Sequence, residues 1–220
     1  MWTNSDFGTL LEKGEVDLPL PKLLPGTDIE TGHAFIGDEA FPLKKYMIRP
    51  YSRRDLTDSA RVFNYRLSRA RRTIENAFGI LVSRWQILTK RICCSEENAS
   101  SLVKAMVCLH NFIMSENGQH NTLYCPPDLI DQEDAAHNVI EGQWRGSGGH
   151  GELQDVTRLG ANNAQMTAAA QRNILRDYFV SPAGEVEWQY ACAFRGLVVN
   201  APNDVLYEAD DESNEAGEFL

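Results

Sequence analysis

The sequence predicts an α/β domain that is predominantly helical in the residues at hand and ends in a disordered acidic tail. Three observations lead there. Apolar residues recur at spacings of three and four in stretches 63–81, 102–113 and 166–178, the pattern of amphipathic helices. The run His33-Ala34-Phe35-Ile36 stops at Gly37, as a short buried strand does. Residues 204–220 hold seven acids and no base, a composition with too little apolar surface to fold.

Taken in order, residues 1–31 give a helical turn or two around Phe7, Leu10 and Leu11. A connector broken by Pro19, Pro21 and Pro25-Gly26 follows. The strand through Phe35 delivers Asp38 and Glu39 into a loop at its C-terminal end, where open α/β sheets commonly place ligand-binding groups. Pro42 and Pro50 mark an extended basic connection from 41 to 54. The first long helix carries Phe63, Leu67, Ala70, Ile74, Phe78 and Leu81 on one face, with Thr57 or Asp58 as its N-cap. A brief strand is expected at Ile87-Leu88-Thr89 or Arg91-Ile92. Ser95 caps a second helix whose stripe is Leu102, Met106, Leu109 and Ile113, with Glu96 and Glu97 at its positive end. It ends near Asn117-Gly118. Residues 119–160 are polar and rich in Pro and Gly, a linker by composition. A third helix spans 164–179, within a helical extension at 161–195, and residues 196–220 form the tail.

At 43% hydrophobic and 24% charged residues, the composition is that of a soluble globular chain. No apolar run approaches a membrane span, and acids at 6, 12 and 15 leave no secretory signal. Five cysteines without a C-x-x-C argue for free thiols rather than a disulfide framework or zinc ribbon. The net charge of −10 conceals a split. Residues 44–91 hold 13 Lys/Arg against three acids, a balance of +10, so the remainder stands at −20. Such polarity commonly marks an anion-binding face with acidic flanks. Lys44, Lys45, Arg49, Arg53, Arg54, Arg66, Arg69, Arg71 and Arg72 form this candidate nucleic-acid-binding surface. The competing interpretation is a solvated helix face balanced by the acidic flanks, residues 204–220 included.

Four ordered blocks give the sequence a family likeness. They are Gly37-Asp38-Glu39-Ala40-Phe41-Pro42-Leu43, the run from Phe63-Asn64-Tyr65-Arg66 to Arg71-Arg72, Glu75-Asn76-Ala77-Phe78-Gly79-Ile80-Leu81, and Cys108-Leu109-His110-Asn111-Phe112. Together they resemble the PIF/Harbinger-type transposases and the nucleases derived from them, within the DDE transposase superfamily. The resemblance implies a ribonuclease H-like core, here truncated at its N-terminus, with residues 1–118 as the C-terminal part of the nuclease domain. Three carboxylates hold divalent metal, Mg²⁺ or Mn²⁺, for hydrolysis of DNA phosphodiesters. The second Asp of the set falls on Asp38 and the Glu on Glu75, the catalytic and metal-ligating candidates. The first Asp belongs on an earlier strand that nothing in this sequence matches, so cutting by this chain alone is not expected. The lost strands are expected to leave the Phe35 strand without neighbours in its sheet. By the same resemblance the protein is nuclear, acts on DNA, and works beside a Myb-like DNA-binding partner.

Simpler roles exist for the same residues. Asp38 beside Gly37 suits an ordinary turn. Glu75 has Arg71 at i−4 and Arg72 at i−3, helix pairs worth a few tenths of a kcal/mol. His110 is read as structural and Trp188 as packing. Two function classes stand beside the nuclease: a non-catalytic DNA- or protein-binding remnant using the basic face 44–91, and a decayed gene fragment.

Overall fold

In the computed structural model, which describes residues 5–54, 56–116, 122–146 and 166–195, the chain is built around one long helix. Helix α2 (Asp58–Arg84) starts where Thr57 Oγ1 accepts a hydrogen bond from the Ala60 amide at 3.3 Å. Asp58 in its first turn and Arg84 in its last suit the helix dipole. At 1.5 Å per residue it is roughly 40 Å long, enough for several shorter elements to share it. Its N-terminal half carries the core: Phe63 and Leu67 pack with Ile48, and Ala34, Tyr51, Leu175 and Phe179 close around them. Tyr51 meets Phe63 edge-on at 5.3 Å, and Phe63 stacks on Phe179 at 5.9 Å.

The Phe35 strand has a neighbour, contrary to expectation. Two antiparallel residue pairs, β1 (Lys22–Leu23) with β2 (Glu30–Thr31), come first. Then β3 (Phe35–Ile36) pairs in parallel with β4 (Met47–Ile48), Phe35 opposite Met47 and Ile36 opposite Ile48. A tight return between Lys44 and Met47 makes this possible inside what composition reads as an extended connection. Burial is also redistributed. Met47 and Ile48 are enclosed, whereas Phe35 and Ile36 are two-fifths exposed. The apolar run at 33–36 signals a strand correctly, but its partner strand holds the core position. Helix α1 (Asp6–Lys13), capped by Ser5 Oγ on the Gly8 amide and closed by left-handed Gly14, lays Phe7 edge-on against Phe35.

Helix α3 (Glu96–Glu116) follows the stripe that predicts it, but of Leu102, Met106 and Leu109 only Met106 is buried. Leu102, Leu109 and Phe112, with Ile74 and Phe78 of α2, are 41–58% exposed. Nothing among the described residues covers that apolar face. Residues 86–89 form a 3-10 turn in place of the expected strand. Trp85 occupies the junction, where its φ of −111° and ψ of 74° end α2.

The described part of the presumed linker, 122–146, is built onto α2. It contains two 3-10 turns and the pair β5 (Gln132–Glu133) with β6 (Val139–Ile140), antiparallel. Helix α4 (Met166–Phe179) then packs along α2, and short α5 (Gln189–Ala193) follows it onto the same helix. The Gly-rich stretch at 147–151 and the acidic tail at 196–220 lie outside the described residues.

Candidate metal centre

Asp38 leaves β3 through a turn that fixes both its backbone and one carboxylate oxygen. The Gly37 amide donates to Ile48 O at 2.8 Å, keeping the chain on β4 up to the turn. A Cβ at Gly37 would stand 2.9 Å from the Phe41 ring, so glycine lets that ring close over the loop. Asp38 Oδ1 then accepts the Ala40 amide at 2.9 Å, the turn that the simpler interpretation of this residue anticipates. Arg49 Nη1 ties the far side of the loop, donating to the carbonyls of Glu39 and Phe41.

The second oxygen, Oδ2, faces α2. There Arg71 Nη2 lies 3.9 Å from Asp38 Oδ2 and 3.3 Å from Glu75 Oε1. Two carboxylates 37 positions apart in the sequence thus converge on one guanidinium nitrogen. The acids are roughly two-fifths to half exposed and Arg71 one-quarter exposed. Solvent therefore screens both contacts, and each is worth about 1 kcal/mol at most. Carboxylate oxygens are hard donors of the kind that Mg²⁺ and Mn²⁺ take. Among the described residues no group of three His, Cys, Asp or Glu stands close enough to enclose an ion.

The residue after Glu75 positions it. Asn76 Nδ2 donates to Asp131 O at 3.2 Å, and Asn76 Oδ1 accepts the Asp131 amide at 3.0 Å and Trp144 Nε1 at 3.1 Å. Trp144 lies flat over Gly79, where a Cβ would come within 2.4 Å of its ring. The Glu75-Asn76-Ala77-Phe78-Gly79 block therefore has a packing logic of its own. Asn76 and Gly79 bind the 131–145 segment to α2 and fix the turn that presents Glu75. Asp131 itself is enclosed, hydrogen-bonded by Arg145 and the Gly142 amide, and Arg145 holds its carboxyl below the usual range. Asp131 in turn raises the pKa of Arg145.

The basic residues divide sharply. Arg66 donates to Gln189 Oε1 at 2.8 Å and stacks on Phe179. Arg69 and Arg72 grip Glu133, and Arg69 lies 3.9 Å over the Trp188 ring, against which His137 stacks. Lys44 pairs with Glu12, whose pKa is lowered by hydrogen bonds from Lys44 and Tyr46. Arg49 holds the Asp38 loop and Arg71 the acid pair. Lys45, Arg53 and Arg54 are exposed. Sequence reasoning misses this partition, although a signal exists: 66, 69 and 72 repeat at three and share a broad face, while 71 falls with 75. Trp188 packs as expected. His110 does too, its Nδ1 3.0 Å from the Tyr124 hydroxyl and its pKa lowered by burial.

Residues 1–111, half of the chain, match the DDE superfamily endonuclease family. The chain belongs to that family. The match spans both Asp38 and Glu75 and bears out the resemblance to transposase-derived nucleases. A relative in Arabidopsis thaliana, Protein ALP1-like, is 30% identical over 117 residues, which are 53% of this chain and 29% of the relative. The matched segment is thus under a third of that relative's length. No solved structure matches the chain. All five cysteines are free, and no helix among the described residues is long and apolar enough to cross a membrane.

Proposed function

We propose that this chain carries two carboxylates, Asp38 and Glu75, of a three-carboxylate centre for divalent-metal-dependent hydrolysis of DNA, on a core of ribonuclease H-like descent. The observation that supports it is their convergence on Arg71 from a strand-end loop and a rigid helix. Bound Mg²⁺ or Mn²⁺ supplies Lewis-acid polarisation of a phosphoryl oxygen and a nucleophilic water at neutral pH.

The residues of this chain prepare the site. The Asp38 turn presents Oδ2 while Oδ1 is held by the Ala40 amide. Asn76 fixes the helix turn that carries Glu75. Exposed Lys45, Arg53 and Arg54 neutralise DNA phosphates near the start of α2. A DNA substrate places the protein in the nucleus, where a Myb-like protein would supply sequence recognition.

The test is Mg²⁺-dependent nicking of supercoiled plasmid by the protein purified from its own cells, in the form or complex that supplies the third carboxylate. The proposal expects nicking that Asp38→Ala and Glu75→Ala each abolish. Equal nicking by both variants, or salt-sensitive DNA binding with no nicking in any form, would reject it. The second result would favour the non-catalytic binder.

A further inference from the structure

We infer that Arg71 is the resident counter-cation of the Asp38–Glu75 pair and sets its affinity for a divalent ion by competing for the same two oxygens. The inference rests on the reading of Asp38 and Glu75 as metal ligands and assigns a further residue to that site. Four arginines lie within seven positions on α2, and three of them are anchored elsewhere. Arg66 is held by Gln189 and Phe179, Arg69 by Glu133 and Trp188, and Arg72 by Glu133. Arg71, among the described residues, pairs with the two acids.

Those contacts have the character of an exchangeable pair. At 3.3 and 3.9 Å, they are looser than the 2.7 Å bond of Arg72 to Glu133, and all three side chains reach solvent. A guanidinium cannot leave by losing its proton, since it stays charged throughout the accessible pH range. It can leave only by rotating its side chain, which helix spacing permits while the i,i+4 partner Glu75 stays in reach. A small dication that binds both carboxylates must displace this charge or bind against its repulsion. Arg71 keeps two neighbouring acids from repelling each other when no metal is present, and weakens metal capture in return.

Calorimetric titration of the full chain with Mn²⁺ at low ionic strength tests this. The variants are Arg71→Gln, Arg71→Lys and Arg71→Gln with Asp38→Asn, each checked for wild-type helicity by circular dichroism. Removing one half-screened cation about 4 Å away should tighten the Asp38-dependent site roughly fivefold in Arg71→Gln. Arg71→Lys, which keeps the charge, should stay near wild type, and adding Asp38→Asn should erase the gain. Unchanged Asp38-dependent affinity in Arg71→Gln would overturn the inference while leaving the metal centre intact. Weaker binding in Arg71→Gln would overturn it by making Arg71 a support for the ligands. Absence of any Asp38-dependent Mn²⁺ binding, wild type and Arg71→Gln alike, would overturn both the inference and the metal reading.

Discussion

Asn64 and Asn76 perform the same task at two levels of α2. Asn64 accepts the Tyr51 amide at 2.8 Å and donates to the Tyr51 carbonyl at 2.9 Å. Asn76 does the same for the amide and carbonyl of Asp131. Each side-chain amide thus stands in for a neighbouring strand, satisfying both backbone groups of a segment that has no sheet partner there. Asn76→Ala should cost roughly 2–3 kcal/mol in urea unfolding, since it strips partners from the Asp131 backbone and from Trp144 Nε1. Asp131 gives a pH dependence of definite sign. Its side chain is wholly enclosed, and its pKa is lowered chiefly by Arg145. A carboxyl whose folded pKa lies below its unfolded one stabilises the fold in full above about pH 4. That contribution disappears as pH falls from there through the folded value. Thermal melts between about pH 6 and pH 2.5 should therefore show a stability loss that Asp131→Asn removes, at the expense of lower stability at neutral pH.

At the scale of elements, α2 is enclosed at Phe63 and Leu67 and again at Ile80 and Leu81, while Ile74 and Phe78 between them reach solvent. Phe63 is fully enclosed, and Phe63→Ala should destabilise by about 3–5 kcal/mol in chemical denaturation. Phe112 on α3 is 58% exposed, and Phe112→Ala should change the same measurement by less than about 1 kcal/mol. If both cost alike, Phe112 is covered in solution. The three long helices were legible because their apolar residues repeat over several turns, and Thr57 and Ser95 mark their starts by a local rule. Met47-Ile48 was not legible: two apolar residues among Lys44, Lys45 and Arg49 carry no period, and only the tight return at Lys44 brings them beside Phe35-Ile36. Ile87-Leu88-Thr89 failed for the opposite reason. Ile87 and Thr89 suit a strand, but among the described residues no strand lies alongside, and the chain makes a 3-10 turn. Of the candidate site, Asp38 and Glu75 could be named from the family blocks, but their shared guanidinium depends on how the loop meets the helix, which no spacing rule encodes.

For the whole molecule, the surplus of positive charge at 44–91 does two jobs. Much of it is internal mortar: Arg66, Arg69 and Arg72 hold α5, the segment before it and the β5–β6 turn against α2. What remains outward is smaller than the count of 13 basic residues suggests. DNA affinity carried by Lys45, Arg53 and Arg54 should show a salt slope of only about −3 in log–log form, near −0.9 for each phosphate neutralised. Replacing those three by Ala should flatten it in filter binding across a salt series. Arg69→Gln is expected to lower the melting temperature instead, because it removes one of the two arginines that hold Glu133 and uncovers Trp188. The acids concentrated at 204–220 add many weak cation ligands elsewhere in the chain, so the place where a metal binds matters more than whether one binds.

That place can be read directly by titrating the isotope-labelled chain with substoichiometric Mn²⁺ and following paramagnetic broadening of its amide resonances. Amides of Asp38, Glu39 and Ala40 should broaden together with those of Glu75 and Asn76, and Asp38→Asn and Glu75→Gln should each abolish both sets. Broadening confined to residues 204–220, or persisting unchanged at the pair in those variants, would contradict a shared metal centre at Asp38 and Glu75.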